Sequence, residues 1–377
     1  MKNIPLYIHI PFCKKSKCLY CDFVSFCQAE DKIESYLASL EREMLFYKAS
    51  LKGCRIKTIF IGGGTPSVLS NSQIKRLFSA LKNNFDLTHC CELTIECNPD
   101  SISESKLKTY KELGINRLSI GAQTMNDEIL KSIGRRHDRQ DFEKALSLSQ
   151  KYFDNINVDM MLALPNQTLN DVKDMLEFLQ TKGVSHISAY SLMIEQGTPF
   201  YALATQNKLP LPSEENSIKM YDFVAKYLKR HGYTRYEVSN FAKKGFECKH
   251  NINYWMCKEY LGLGCSAHSY ICGKRFCNTS SLQEYIDRLS CNKSPVDSEE
   301  ILTAQQRIEE YIMLSLRTRW GIDLDKFNSL FGFSLLDSKQ KEIGMLKRQF
   351  LIRCTQHHLS LTSRGFHVLN SIVLALC

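Results

Sequence analysis

The 377-residue chain lacks an apolar run long enough to cross a bilayer, which takes about 20 residues. Its apolar opening, MKNIPLYIHIPF, is broken by Pro5 and Pro11 and leads into a cysteine-rich loop instead of a small-residue cleavage site. A transmembrane segment and a secretory signal are both excluded on this reading, and the cytoplasm is the expected compartment. No block of one charge sign occurs either. The 49 Lys and Arg are interspersed with 40 Asp and Glu, and the net charge of +9 reads as a solubilising excess rather than a nucleic-acid footprint. A G-x-G-x-x-G turn after the first apolar strand is also missing, which argues against a dinucleotide-binding sheet.

Cysteine, by contrast, is plentiful, with sixteen residues. In a chain without a secretion signal these are read as thiols and metal ligands before disulfides. Cys13, Cys18 and Cys21 fall within nine residues, directly after a strand-like run. Short runs rich in Ile, Leu and Val recur at 4–10, 56–61, 92–97, 117–121, 156–162 and 186–192. Amphipathic helices lie between them. Ile33, Leu37, Leu40 and Met44 keep helical spacing, as do Ile74, Leu77, Phe78 and Leu81 behind a Ser70–Gln73 capping box, while Gly114 and Gly183 suit left-handed helix ends. Six such repeats predict an α/β fold with a parallel sheet, and at this length a smaller second domain.

The polar residues decide the curvature of that sheet. The cysteine loop follows strand one, Gly62-Gly63-Gly64-Thr65-Pro66 follows strand two, and Glu96 and Asn98 close strand three. Gln123 ends strand four, Asp159 lies in strand five, and Ser191 to Glu195 follow strand six. Chemistry gathered at the C-terminal ends of strands is the habit of (βα) barrels, so an incomplete (βα)6 barrel with a lateral opening is expected.

Three thiolates suit a [4Fe-4S] cluster with one iron left open, and Lys14, Lys15 and Lys17 would offset its negative charge. A zinc site completed by Cys27, or unliganded core thiols, are the alternatives. The glycine run allows backbone groups to approach an amino-acid moiety. Glu96 and Asp159 suit ammonium or ribose hydroxyls, and Arg135 and Gln123 suit carboxylate or amide-like acceptors.

These stretches, YIHIPFC, CxxCDF, IGGGTPS, ECNPDS, GINRLSIGAQT, IGRRH, NVDMMLALP, HISAYSLMIEQGTPF, YEVSNFA, HNINYW and YLGLG, run from Tyr7 to His268. They resemble the radical S-adenosylmethionine (SAM) superfamily, in particular the oxygen-independent coproporphyrinogen III oxidase family in its heme-chaperone (HemW) branch. A weaker resemblance continues from Glu309 to Asn370. It implies that Cys13, Cys18 and Cys21 hold a [4Fe-4S] cluster whose free iron takes SAM. Tyr7, Tyr20, Gly63, Gly64, Thr65, Glu96, Gln123, Arg135 and Asp159 match SAM-contacting positions, and no catalytic residue is assigned. Reductive SAM cleavage is the chemistry such sites support.

Two departures stand out. The family usually spaces its cysteines C-x3-C-x2-C, and here Lys14, Lys15, Ser16 and Lys17 make it C-x4-C. Ala163 and Asn166 stand where glycine is common. Two further features separate the branches. The oxidases carry a longer leading segment and a fourth cysteine, where this chain has six residues before Tyr7 and has Phe23.

The resemblance therefore implies a heme chaperone, with coproporphyrinogen III oxidase as the alternative. HNxxYW is present as His250, Asn251, Tyr254 and Trp255. Its imidazole suits heme iron and its rings suit a porphyrin face. His268 and Cys265 are weaker heme candidates. The implied partner is a heme acceptor, such as a membrane or respiratory cytochrome, and a dimer is compatible with the sequence.

The expected division is a radical SAM core at 1–235, the HNxxYW segment and linker at 236–295, and a C-terminal domain at 296–377. The polar stretch 290–300 reads as linker. Helix through EEYIMLSLR, a short β-like LSLTSRG and a final helix at GFHVLNSIVLAL give the last part a winged-helix-like character without a basic stripe for DNA.

Overall fold

Six strands lie side by side and parallel in the computed structural model, which describes residues 2–377. They are β1 (Asn3–Ile10), β2 (Arg55–Gly63), β3 (Glu92–Cys97), β4 (Arg117–Gln123), β5 (Ile156–Leu162) and β6 (His186–Ser191). Each is followed by a helix that returns the chain, beginning with Ile33–Lys48 after β1 and Asn71–Asn84 after β2. The predicted start of the second is present: Ser70 Oγ accepts from Gln73 N, and the Gln73 side chain accepts from Ser70 N. Gly114 and Gly183 take φ of 88° and 66°, the left-handed backbone that ends a helix.

The strands are buried on both faces, but not by the same chemistry. Leu118 and Ile120, Val158 and Met160, and Ile187 and Ala189 join the apolar core. Between them Arg117, Ser119, Asn157, Asp159, His186 and Ser188 are polar and buried or nearly so. Since side chains alternate along a strand, the three strands share one apolar face and one polar face. The polar face is where the cavities lie.

The six-strand expectation needs one correction, because the sheet has nine strands. The additions are β7 (Thr234–Arg235), β8 (Asn240–Ala242) and β9 (Leu261–Leu263), giving the order β9-β1-β2-β3-β4-β5-β6-β8-β7. β9 runs parallel on the free edge of β1, and β8 runs antiparallel on the free edge of β6. The six-strand unit remains an open partial barrel, but both of its edges are covered. Strands of two or three residues have no periodicity to detect in a sequence.

The stretch expected as linker is also partly strand. Val296–Ile301 (β12) pairs with β11 (Lys274–Asn278), which pairs with β10 (His268–Ile271). All but one of its residues are exposed, so VDSEEI lacks the apolar alternation that marks a half-buried strand. Beyond it a second core forms around Tyr311, Leu316, Phe327, Leu346, Leu359 and Ile372. It contains helices and a three-stranded sheet made of Ile322–Asp323, His358–Leu361 and Ile352–Cys354. The final helix breaks at Val368 into Ser363–His367 and Leu369–Leu376.

Ala163 and Asn166 both adopt left-handed backbone, with φ of 59° and 58°. Asn tolerates that region, whereas a β-carbon there costs Ala about 1–2 kcal/mol. Ala163→Gly is therefore expected to raise unfolding stability by about 0.5–1 kcal/mol after the entropy lost to a freer unfolded chain. Urea denaturation midpoints measure this, and an unchanged or lower midpoint would show the loop to be unstrained.

Candidate cofactor site

The cysteine loop is held to the end of the sheet by backbone. Gly64 N donates to Ile10 O at 3.0 Å, Thr65 N to Phe12 O at 2.8 Å and Phe26 N to Pro11 O at 2.7 Å. Glycine is required at this seam. A β-carbon on Gly63, whose φ is 117°, would meet the His9 ring at 2.7 Å, and one on Gly64 would meet Phe12 O at 2.7 Å. The glycine run read as a ligand cradle thus also carries the loop. The extra residue in C-x4-C is absorbed in a tight turn, with Ser16 N on Lys14 O at 2.5 Å and Lys15 at φ 49°. Lys17 Nζ then closes the loop on Phe23 O at 2.6 Å.

Beneath the loop lies a cavity of about 500 Å³. Cys13, Cys18, Cys21, Tyr20, Gly63, Gly64, Thr65, Glu96, Gln123, Arg135 and Asp159 all line it. Tyr7 does not; it faces an adjoining cavity of about 660 Å³ together with Phe60, Arg117, His250, Tyr254 and His268. The two cavities share Asp22, Phe23, Gly63, Glu96, Ser119, Asp159 and Tyr190 as a common wall. Cys27, Cys265 and Trp255 line neither. Cys27 sits beside Cys13 in a two-residue bridge, and Cys265 is buried with its thiol on Thr279 O at 3.2 Å.

Arg135 ties several of these groups together. Its guanidinium reaches Cys18 Sγ at 3.7 Å, Asn98 Oδ1 at 3.1 Å and Gly121 O, while its buried Nε has no partner. Asn98 in turn donates to Thr65 Oγ1 at 3.2 Å, which lies 3.8 Å from Cys13 Sγ. Glu96 accepts from Gly63 N at 3.1 Å, yet burial, and then the nearby Asp159, push its carboxyl up to about 8. Burial also raises Asp159, against the pull of donors from Asn157, Ser188 and Ser119. Burial pushes the Cys21 thiol up to about 11, with Lys17 opposing it.

His250 is placed differently from an open ligand. Its Nδ1 pairs with Thr58 Oγ1 at 2.9 Å and its Nε2 with Tyr254 Oη at 2.8 Å. Burial, then the Arg117 charge, hold it down at about 3, so the ring is neutral. The helix that carries it, Lys249–Trp255, is anchored by Glu92, which accepts from Lys249 N and His250 N, both at 2.8 Å. His268, by contrast, is exposed to the second cavity, with Nε2 3.4 Å from Cys277 Sγ. Glu92 and Arg117 are the residues missed from the sequence. Their signal is a charged side chain inside a strand buried on both faces.

Comparison with known proteins accounts for this arrangement. The radical SAM superfamily model matches residues 7–179, and the HemN C-terminal domain model matches 302–368. The heme chaperone HemW of Bacillus subtilis is 39% identical over 367 residues, 95% of each chain. The chain belongs to the HemW family of radical SAM proteins. HemW of Lactococcus lactis is 37% identical over 97% of this chain and 95% of its own. The solved coproporphyrinogen III oxidase HemN of Escherichia coli superposes with a TM-score of 0.87, covering 100% of this chain and 90% of that one. At 23% identity that likeness establishes the fold.

Radical SAM proteins use a [4Fe-4S] cluster and SAM, and the HemW-family cavity described here fits both. Among the described residues no three His, Cys, Asp or Glu groups converge as a single ion requires. A four-iron cluster instead needs its thiolates at separate irons, which suits three cysteines spread along one wall. The orphaned Arg135 Nε and the two raised carboxyls suit a ligand with a carboxylate and positive charge.

That fit has a pH signature. SAM carries a sulfonium and an ammonium, and if either lay beside Glu96 its carboxylate would have to be ionised. Below about pH 8 the free carboxyl holds its proton, so binding must expel it and affinity rises with pH. SAM affinity is expected to strengthen several-fold from pH 6 to 7.5, below where an α-ammonium itself deprotonates near 8. Calorimetry in buffers of different ionisation enthalpy counts the proton. Glu96→Gln should flatten the slope, and an equally steep slope in that variant would assign it to another group.

Proposed function

We propose that this chain is a heme chaperone that takes heme into the second cavity, beside the SAM site, and passes it to an acceptor protein. The observation that carries this is the common wall. A chamber faced by Tyr7, Phe60, Tyr254 and Tyr260 shares seven lining residues with the chamber lined by the three cysteines. Flat aromatic side chains favour a flat apolar ligand, and the volume is within the usual range for small-molecule sites. The relatives named heme chaperones, matched over nearly the whole chain, point the same way.

Within the first cavity, Cys13, Cys18 and Cys21 would hold the cluster. Arg135 would hold the SAM carboxylate, and Glu96, Asp159 and Gln123 would position its ammonium and ribose. Tyr20, Gly63, Gly64 and Thr65 would complete the contact surface. The bound cofactors supply reductive chemistry on SAM. The protein binds, orients and shields them from water. Phe23, on the wall of both cavities, stands where the oxidases carry a cysteine, and this favours the chaperone reading over porphyrinogen oxidation.

Heme ligation by His250 requires its Nε2 to exchange Tyr254 for iron. Its depressed pKa supports that role, because no proton competes with the metal for a neutral imidazole. Helix Ala304–Leu316 of the C-terminal unit packs against the His250 helix, so an acceptor docking there would press on the heme chamber.

Two measurements test this reading. Anaerobic reconstitution with iron and sulfide, followed by EPR with and without SAM, should give a cluster signal. Cys13→Ala, Cys18→Ala and Cys21→Ala should each lose it and Cys27→Ala should keep it; loss in Cys27→Ala and retention in Cys21→Ala would reverse the ligand set. Hemin titration followed at the Soret band should show binding that His250→Ala weakens about tenfold or more, as loss of a metal ligand implies. Tyr254→Phe, which frees Nε2, should strengthen it. Equal affinity in all three proteins would remove His250 from the heme site, and anaerobic formation of protoporphyrinogen above a no-protein control would favour the oxidase.

A further inference from the structure

Arg117 is among the most deeply buried side chains of the protein, at 2% exposure, and it lines the second cavity. A guanidinium carries five N–H donors and cannot shed its charge. Its Nε has no hydrogen-bond partner, and among the described residues no carboxylate forms an ion pair with it. The fields of Cys248, Glu92 and Asp159 offset the burial of its charge, but the hydrogen bonds of those two carboxylates go elsewhere. Glu92 receives the two backbone N–H groups of the His250 helix, and Asp159 receives Asn157 Nδ2 at 2.8 Å and Ser119 Oγ at 3.2 Å.

An unpaired buried cation is costly unless a ligand supplies the missing anion. The cavity lining combines polar Ser119, Asn157 and Ser188 with aromatic Tyr7, Phe60, Tyr254 and Tyr260. This combination selects a ligand with a flat apolar body and a carboxylate at one edge.

We infer that Arg117 is the anchor for a carboxylate of the macrocycle bound in the second cavity, setting how deeply and in which orientation it enters. The inference rests on the heme reading above and adds to it the edge by which the ligand is held. Heme has two propionate groups, so one can meet Arg117 while the other is free of that contact. No bond is made or broken; this is a charge-assisted contact.

The test compares ferric heme with its dimethyl ester, which keeps the ring and removes the anionic charge. Both are titrated at the Soret band into the full-length protein and into Arg117→Gln. Wild type is expected to bind the ester about tenfold or more weakly than heme, the loss typical of a hydrogen bond to a charged group. Arg117→Gln should bind heme as weakly as wild type binds the ester, and its affinity for the ester should be unchanged. Arg117→Lys should recover part of the discrimination.

Equal affinities of wild type for heme and ester would overturn the inference while leaving the heme reading intact. So would an Arg117→Gln variant that loses both ligands equally despite a native circular dichroism spectrum. No Soret change with either ligand in wild type removes the heme reading and this inference with it. Should Arg117→Gln fail to fold, the wild-type comparison together with Arg117→Lys decides.

Discussion

The close approach of the Gly62–Gly64 turn to β1 and the loop after it is the constraint on which the site depends. Three backbone hydrogen bonds there tie residues 10–12 to residues 26, 64 and 65. They can form only because positions 63 and 64 have no β-carbon to strike His9 and Phe12. The loop carrying the cysteines is thus registered to the sheet by main-chain contacts that no rotamer change can alter. Its length then matters little. An extra lysine is accommodated within a turn at Lys14–Ser16 while Cys13 and the later cysteines still face one cavity. Loop closure entropy grows slowly with length, and the anchor points are unaffected.

Electrostatics complete what the backbone positions. The two cavities are lined by two arginines with an orphaned Nε, Arg117 and Arg135, and by two carboxyls displaced upward, Glu96 and Asp159. Arginine cannot neutralise itself, and a carboxyl can. The site therefore waits with its cations charged and Glu96 protonated, a state in which an arriving ligand supplies the missing partners. A ligand that placed positive charge beside Glu96 would therefore have to expel its proton. The same logic separates the two chambers, one offering Arg135 beside the Cys18 thiol and the other offering Arg117 in a lining rich in aromatic side chains.

Much of this was legible in the sequence because it rests on period and position. The six long strands have enough Ile, Leu and Val to be read as strands, and the Ser70–Gln73 box and Gly114 mark helix ends by local chemistry alone. Polar residues at the C-terminal ends of those strands fell on one rim, and of the cluster and SAM candidates all except Tyr7 line the first cavity. What escaped lacks a local signature. β7 to β9 are too short, and β12 is exposed on both faces. Tyr7 lines the second cavity, because a strand residue's rim is readable in a sequence and the division of the space below it is not. His250 was legible as a special histidine, but its two hydrogen bonds come from residues 58 and 254, and only the fold brings the first of them near.

The polar face of β4 to β6 shows how a sequence signal can be present and go unused. Arg117-x-Ser119, Asn157-x-Asp159 and His186-x-Ser188 place polar pairs at alternate positions in three successive strands. In a sheet covered on both sides, burying six such groups would cost more than any strand propensity returns unless they bind one another or a ligand. Asn157 answers for most of them, donating to Ser119 and Asp159 and accepting from Ser188 and His186, while His186 reaches on to Tyr236. One member is left over. Arg117 joins no part of this network, so the polar face is satisfied everywhere except at the point where it meets the second cavity. A fold that resolves five of six buried polar groups internally and leaves the sixth, the one permanent charge, open to a cavity is built around what enters that cavity.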